Sequence, residues 1–463
     1  MGSLFTGLSI AANSLDAFQH AINLVSTNVT NSSTPGYARQ QVVLQAESYD
    51  SYSSVGGGVG YAGTVDSRDQ YAERSVQQSV SRQGEATQRA KDLTRLEPIL
   101  PIDGASGIST ALDSFFRAFS SLATAPNDTT SRQLALDQAQ QVVQSFHQAS
   151  ETLDQAKLGT QQDLADQVNQ VTTLAARIVS INKQYEQNFN AASDPGLNAQ
   201  LAQSLEQLSQ YADLTTLKQD NGTVMVYAGQ ALLVNGDKSM PLKYVFGSGV
   251  LQDAQGNDAS TSLRSGSLVA LLDQANNVEP TLETNLNLMA QGFADRVNST
   301  LQAGVDQTGN APVEGLFSYT AATIPAPPAV TAYPAPHAAK TISVNPLQPS
   351  ELALADPSAP GGNALAVQVA NIQNAALVGG ATLTQFYGNL AAQLGQSLSN
   401  AKNDQTTAES LTAQSQSLRS DLQGVSLDQE AINLLEFQRS YDATSQFVKV
   451  INQLTQDLIA MLQ

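Results

Sequence analysis

The chain has 463 residues, 41% of them hydrophobic, which is enough for a sizeable core shared among two to four domains. Acidic residues outnumber basic ones by 41 to 22, and the net charge of −19 opposes binding to nucleic acid or to an anionic membrane surface. The absence of cysteine excludes disulfides, thiolate metal sites and thiol nucleophiles.

Neither a membrane span nor a cleaved secretory signal is predicted. The sequence contains no run of about 18 apolar residues, the minimum for a transmembrane helix. No basic segment precedes Leu4, and Asn13 and Asp16 interrupt the first apolar stretch. We therefore expect no insertion into a membrane and, if the protein leaves the cell, a route that needs no signal peptide.

The first predicted element is a helix with a narrow apolar seam. Apolar residues at positions 4, 8, 11, 15, 18, 22, 25 and 29 are separated by alternating steps of four and three. A helix with this seven-residue repeat presents one narrow stripe to a partner. We assign the N-terminal seam to Leu8, Leu15, Phe18, Ile22 and Val25.

Short β-like runs follow in 38–66, where Gly58, Gly60 and Gly63 formally match the phosphate-binding pattern G-x-G-x-x-G. That pattern binds dinucleotides only between a strand and a helix of a βαβ unit, and no alternating βα pattern follows here. A flexible loop or turn is the better interpretation.

Between the two ends, helical periodicity alternates with strand and turn signals. In chain order the sequence predicts helix over 67–210, broken near 98–107 and at Pro126; strands and turns over 214–263; helix over 265–303; a proline- and alanine-rich stretch over 318–361 with one strand at 341–344; and helix from about Asn363 to the C-terminus.

The last predicted helix repeats the pattern of the first. Apolar residues recur every seven residues as far as Leu462, with Thr444 and Thr455 in two positions of the stripe. Phe447 and Met461 widen the stripe, which predicts contact with more than one neighbour. We assign the C-terminal seam to Leu434, Phe437, Tyr441, Val448, Ile451 and Leu458.

The order of these elements predicts a mainly α protein with a β insert (α+β). Its N- and C-terminal helices would pair in a coiled-coil-like, elongated rod, beside a helical bundle domain and a small β-rich outer domain. The predicted domains are a terminal domain of 1–36 and 425–463; a helical rod-like domain of 37–210, 264–310 and 362–424; and a β-rich domain of 211–263 and 311–361.

No residue set points to catalysis, a metal or another cofactor. His20, His147 and His337 each lack a second histidine three or four residues away, so no local metal-binding pair exists. The patterns G-x-S-x-G, P-loop and H-E-x-x-H are absent, and the spacing of the carboxylates is typical of solvated helix faces. We therefore expect no enzymatic activity.

Both ends of the chain resemble the terminal signatures of flagellar rod, hook and hook-associated proteins. The N-terminal resemblance rests on Asn28, Asn31 and the turn residues Thr34, Pro35, Gly36 and Tyr37, with Thr30 where the family more often has alanine. The C-terminal resemblance rests on 424–430 and 433–441. The segments 37–40, 266–273, 294–298 and 342–346 are similar to the hook-associated members in particular.

The resemblance implies a structural subunit of the extracellular flagellum, secreted by the flagellar type III apparatus and located at the junction of hook and filament. Its terminal helices would be disordered in the free subunit and fold on assembly, with Asn28 and Asn31 at the interface and the 34–37 turn redirecting the chain. The implied partners are the hook protein, the next junction protein, further copies in a ring or tube, and an export chaperone on the C-terminal helix. Two alternatives stay open: a hook or distal rod axial protein, or a secreted helical adhesin or secretion tip protein.

Overall fold

The computed structural model, which describes residues 2–47, 57–101, 106–187, 194–320 and 337–461, is mainly helical. Small antiparallel sheets interrupt the helices, so the predicted fold class of α with a β insert is confirmed. Residues 321–336 of the predicted proline- and alanine-rich stretch and Leu462 lie outside the described residues. The helices there are α1 (Gly2–Thr30), α2 (Gln70–Leu96), α3 (Gly107–Thr124), α4 (Thr129–Gln187), α5 (Pro195–Ser209), α6 (Ser267–Asp273), α7 (Glu279–Gln302), α8 (Ala338–Thr341), α9 (Ala364–Asn371), α10 (Leu383–Gln423) and α11 (Leu427–Met461).

The strands pair into short antiparallel sheets. A hairpin of two strands follows α1, and the largest sheet has four strands in the order β3-β4-β5-β6, so that β3 is an edge strand. Two further two-stranded sheets pair β7 with β8 and β9 with β10. The strands are β1 (Gln40–Ala46), β2 (Val59–Asp66), β3 (Leu214–Lys218), β4 (Val224–Ala228), β5 (Ala231–Asn235), β6 (Lys238–Ser239), β7 (Lys243–Val245), β8 (Val250–Gln252), β9 (Phe317–Ser318) and β10 (Ser343–Val344).

The predicted continuous helix from Asn363 to the C-terminus is wrong, because two breaks divide it into α9, α10 and α11. Gly379 and Gly380 adopt positive φ in the first break, a conformation that costs other residues energy. Thr382 then caps α10, since its hydroxyl accepts the backbone N–H of Gln385. The second break lies between α10 and α11, at 424–426.

Two hydrophobic cores hold the body together, and α4 contributes to both. With 59 residues, α4 is about 90 Å long. Its first half packs with α3, α7 and α10 in what we call the aromatic core, where Phe115, Phe146 and Phe293 are fully buried. Its second half packs with α5, α6 and the four-stranded sheet in the β-side core.

The described parts of 311–361, residues 311–320 and 337–361, pack differently from the predicted grouping with 211–263. Leu316, Phe317 and Leu354 are buried in the aromatic core, whereas the buried residues of 211–263 belong to the β-side core. The two segments have similar strand and turn signals, but different helices cover them. A local sequence pattern does not specify which helix a strand will pack against.

A layer of buried polar side chains lies between the two cores. Asp92 on α2 accepts a hydrogen bond of 2.9 Å from Gln88, and Thr160 on α4 donates one of 2.6 Å to Glu279. Burial raises the pKa of Asp92 to about 6, the nearby Asp163 charge adds to the shift, and Gln88 and Arg95 oppose it. This polar layer therefore contains a carboxylate whose ionisation is unfavourable in the folded protein.

Candidate assembly site

The first and last helices pack against each other in antiparallel orientation. The backbone of Gly7 lies against the end of the Ile451 side chain, and the Asn28 amide donates to a Glu430 carboxylate oxygen at 3.2 Å. Gly7 and Asn28 are 21 residues apart, as are Glu430 and Ile451. The two helices therefore stay in register over three heptads, as a coiled-coil-like pair requires.

Small residues form the most buried line of α1. Of the five residues assigned to the N-terminal seam, Val25 is buried. The other four, Leu8, Leu15, Phe18 and Ile22, are only partly buried. Small side chains along the buried line allow neighbouring backbones to approach closely, and the large side chains flank the contact. The fully buried positions of α1 are Gly7, Ala11, Ser14, Ala17, Ala21, Val25 and Asn28.

The β1–β2 hairpin packs against α1 as well. Gly58 lies so close to α1 that an added Cβ would be 2.6 Å from the Ile10 side chain. The Ser14 hydroxyl accepts the backbone N–H of Val59 at 3.1 Å, and His20 stacks on Tyr61 with ring centroids 4.5 Å apart. The glycine motif predicted as a loop or turn is thus mostly strand β2, with its first glycine permitting close approach to a helix.

The predicted seam residues of α11 differ in burial. Leu434, Phe437, Tyr441 and Val448 are partly buried and Ile451 is buried at 5% exposure, whereas Leu458 is 38% exposed. Further apolar side chains of α11, beside the seam and around the rest of the helix, have no partner in the described structure. These exposed large side chains are Leu427, Ile432, Leu435, Phe447, Val450, Leu454, Ile459 and Met461.

Asn28 is the centre of a polar cluster where α1 meets α11. Its amide donates to the Gln40 carbonyl at 2.9 Å and to Glu430, and its oxygen accepts the Gln40 N–H and the Tyr37 hydroxyl, both at 2.9 Å. All four hydrogen-bonding positions of the amide are therefore used. We call Asn28, Tyr37, Arg39, Gln40 and Glu430 the polar junction.

Glu430 is the buried charge of the polar junction. Its side chain is 1% exposed and accepts a hydrogen bond of 2.7 Å from the Arg39 guanidinium. Burial and then the negative charge of Glu430 raise the pKa of Tyr37 to about 12, so the tyrosine hydroxyl remains a donor at physiological pH. A buried carboxylate is costly unless it is paired, so Arg39 and Asn28 are needed for α11 to fold in this position.

The predicted turn leads the chain from α1 into the hairpin. The Asn31 side chain donates to the Thr27 carbonyl and accepts the Thr34 hydroxyl, which completes the end of α1. Gly36 has φ of 77°, and a Cβ there would be 2.6 Å from the Ala199 carbonyl oxygen. Thr34 and Pro35 are exposed, whereas Gly36 is held against α5.

A second set of charged groups connects the turn to the body. Arg68 donates to the Gly36 carbonyl at 2.7 Å and to Glu73 at 2.6 Å. Gln423, at the end of α10, also donates to Glu73 at 2.7 Å, and its carbonyl accepts the Arg39 N–H at 2.9 Å. The terminal helices are therefore joined to α2 and α10 by directional polar contacts.

Sequence reasoning missed the residues that complete this site. Arg39, Gln423 and Glu430 were not assigned as site residues, although Arg39 and Glu430 belong to the segments that carried the resemblance. Pairs so far apart in sequence leave no periodic signal. A polar residue inside an apolar heptad, as Asn28 is, was the available indication.

The described residues contain no group of three or more histidine, aspartate or glutamate side chains arranged to hold a metal ion. Within the same part of the chain, none of the helices combines the length and apolar character needed to cross a bilayer. The arrangement offers surfaces for protein–protein contact.

Comparison with known proteins identifies two families along the chain. Residues 93–317 match the model of the flagellar hook-associated protein FlgK helical domain, and residues 422–461 match that of the flagellar basal body rod FlgEFG protein C-terminal region. The second match covers all of α11.

Curated relatives and a solved structure agree with these matches. Flagellar hook-associated protein 1 of Bacillus subtilis is 25% identical over 99% of this chain and 98% of its own length. The protein of the same name from Salmonella typhimurium is 27% identical over 65% of this chain and 57% of its own length. The flagellar hook junction protein FlgK from Burkholderia pseudomallei has a similar fold, with a TM-score of 0.66 and 16% identity over 76% of this chain and all of that one.

Proposed function

Because the chain matches the FlgK helical-domain model and resembles flagellar hook-associated proteins, which are structural flagellar proteins and not enzymes, we propose that it is a structural subunit of the junction between hook and filament. In this proposal the subunit is exported by the flagellar type III apparatus. It assembles outside the cell without covalent bonds, through its terminal helices.

One observation supports this proposal above the others: the apolar surface of α11 is wider than the part of it that α1 covers. Its seam residues, such as Ile451, contact α1. Beside the seam, Phe447 and Leu454 lie four residues before and three residues after Ile451, and together with Val450 they form an uncovered apolar face whose side chains are exposed by about half of their surface. An apolar face of this length is stabilised by burial against further helices, as in a tube built from many copies.

The mechanism follows from this geometry. The α1–α11 pair would enter the inner wall of the tube, where the uncovered face of α11 packs against helices of neighbouring subunits. Hook subunits would contact the pair from below and the next junction protein from above. The polar junction would hold the pair at a fixed angle to α2 and α10, so that the two cores lie further out.

The same exposed face explains a need for an export chaperone. A free subunit with this face uncovered is at risk of aggregation, because exposed apolar helices associate without specificity. We propose that the chaperone binds the uncovered face of α11 and is displaced when the subunit assembles.

The test is complementation of a strain that lacks this protein, followed by electron microscopy and assay of filament protein in the medium. We expect Val450→Glu/Leu454→Glu to leave hooks without filaments and to release filament protein. The matched control, Asn452→Glu/Gln456→Glu, adds the same charges at the same spacing on exposed polar positions and should assemble filaments. Normal filaments from the first variant would contradict the proposal.

A hook or distal rod protein is the second candidate, favoured by the match of 422–461 to the rod-protein C-terminal model. The same strain distinguishes the two. Loss of a hook or rod protein would abolish hooks as well as filaments, whereas loss of a junction protein would leave hooks intact. A secreted adhesin or secretion tip protein would leave both in place.

A further inference from the structure

The balance of charge is inverted in one groove, which runs between α2 and the edge strand β3. The whole chain has 41 acidic and 22 basic residues, yet five cations and two carboxylates line the groove. Its two connected parts have volumes of about 670 Å³ and about 380 Å³, and Arg74 and Thr216 contribute to both. The cations are Arg68, Arg74, Arg82, Lys218 and Arg264.

Four of these cations are available to a ligand. Arg74, Arg82, Lys218 and Arg264 are exposed, and their side chains form neither an ion pair nor a hydrogen bond with the described residues. Arg68 differs, because Glu73 and the Gly36 carbonyl already bind it. The second carboxylate, Asp213, accepts the backbone N–H of Arg264 and leaves the guanidinium of that residue uncovered.

One wall of the groove is also an unused sheet edge. Strand β3 pairs with β4 on one side only, and its other side faces α2. Apart from the pairing with β4, no backbone hydrogen bond joins residues 215–217 to another element in the part of the chain that is described. A row of unpaired N–H and C=O groups can bind an extended segment by strand addition.

We propose that this groove binds an acidic, extended segment of a second copy of the same chain. The reason is electrostatic. Two copies with a net charge of −19 each repel one another unless the cations of one face the acids of the next. Since acidic residues dominate the remainder of the surface, a neighbouring copy is a ligand of the required charge.

The geometry of the contact follows from the charge. A groove with an excess of cations does not pair with the same groove of another copy, so it contacts a different surface of its neighbour. Contacts between unlike surfaces repeat from copy to copy and generate rings or helical tubes. The inference thus rests on the proposed function and adds a lateral contact to it, separate from the terminal helices.

The test is sedimentation equilibrium of the full chain over a wide range of protein concentration, at low and at moderate salt. Arg74→Glu/Arg264→Glu reverses two groove charges. Arg177→Glu/Lys402→Glu is the matched control, because both cations are exposed and form no ion pair within the described structure. We expect the groove variant to raise the dissociation constant of self-association about tenfold or more and the control to change it less than about twofold. Added salt should weaken association of the wild type.

Three results would overturn the proposal: a wild type that stays monomeric at every concentration, equal association of all three proteins, or an equal loss in both variants. A fourth result would overturn it as well: if the groove variant associates like the wild type but loses binding to heparin, a polyanion used as a separate probe, the groove binds a polyanion and not a second copy of the chain. None of these results bears on the complementation test, because Val450 and Leu454 are on α11 and do not line the groove.

Discussion

The side chains of Asn28 and Glu430, 402 residues apart in sequence, are joined by a hydrogen bond of 3.2 Å. The same asparagine binds Tyr37 and the backbone of Gln40. A single amide thus connects the first helix, the turn, the hairpin and the last helix. Folding of the first helix is therefore coupled to folding of the last helix at this point. A substitution here should destabilise both helices.

Asn28→Asp should separate α1 from α11. Aspartate removes both amide donors and places a second carboxylate against buried Glu430, which should cost about 2–4 kcal/mol. The measurement is amide hydrogen exchange in α1 at a protein concentration at which the wild type assembles, because the ends of the dilute monomer are expected to be disordered. Protection should partly return below about pH 5, where the new carboxyl is protonated. Asn23→Asp, on the exposed face of the same helix, is the control. Equal protection in the two variants would contradict the role of the polar junction.

Gly36→Ala should loosen the contact between the turn and α5. Its φ of 77° disfavours alanine, and the new Cβ would be 2.6 Å from the Ala199 carbonyl oxygen. Gly309→Ala is a matched control, because Gly309 has φ of 85° but no atom within 4 Å of the added Cβ. The difference between the two isolates the steric contact from the backbone strain. In urea unfolding we expect Gly36→Ala to cost about 1–3 kcal/mol more than the control.

Ile451→Asp should abolish assembly and chaperone binding while the two cores stay folded. Ile451 is 5% exposed against Gly7, so aspartate would place a charge in the helix contact. No residue of either core contributes to that contact. Thermal unfolding should keep the wild-type midpoint, and complementation should fail. Filaments of normal length from this variant would refute the prediction.

Residues 4–30 should be cleaved by protease in a dilute wild-type monomer before either core is attacked. Only Glu430 and Ile451 are fully buried on α11 in the described structure, so little surface holds the pair together in one chain. Disorder of the ends before assembly is untested and stays a prediction. Persistence of the 4–30 segment after the cores have been cut would show that the pair is stable without neighbours.

Asp92→Asn should remove part of the pH dependence of stability. Burial raises the pKa of Asp92 to about 6, so the folded state binds this proton more tightly than the unfolded chain does. The contribution of Asp92 to stability therefore falls as pH rises from about 4 to about 6. Relative to wild type, the variant should gain about 1–3 kcal/mol between pH 4.5 and pH 7.5 in urea unfolding. Asp137→Asn, on the exposed face of α4, should show no such gain.

The sequence predicted the helical ends, the β segments and the fold class because their periodicities are local. On α11 large side chains such as Phe437 and Ile451 lie on the side that faces α1, and a hydropathy pattern selects such residues. On α1 the same method selected Leu8 and Leu15, which flank the contact. The buried line beside them has small residues such as Gly7, and a hydropathy pattern gives small residues little weight although close helix packing depends on them.

Two other features were beyond local reasoning. The hydrogen bond between Asn28 and Glu430 depends on which helices meet, and neither residue indicates its partner. The described parts of 311–361 have strand signals but pack in the aromatic core, because long-range packing decides where a short strand is buried.

Since α1 and α11 fix their register through Gly7 and Ile451 at one end and Asn28 and Glu430 at the other, everything between them behaves as a single insertion. A segment added within 31–426 would enlarge the molecule without changing the spacing of the paired helices. The outer body can therefore vary widely in size among related proteins, whereas the lengths of the two terminal helices can vary very little.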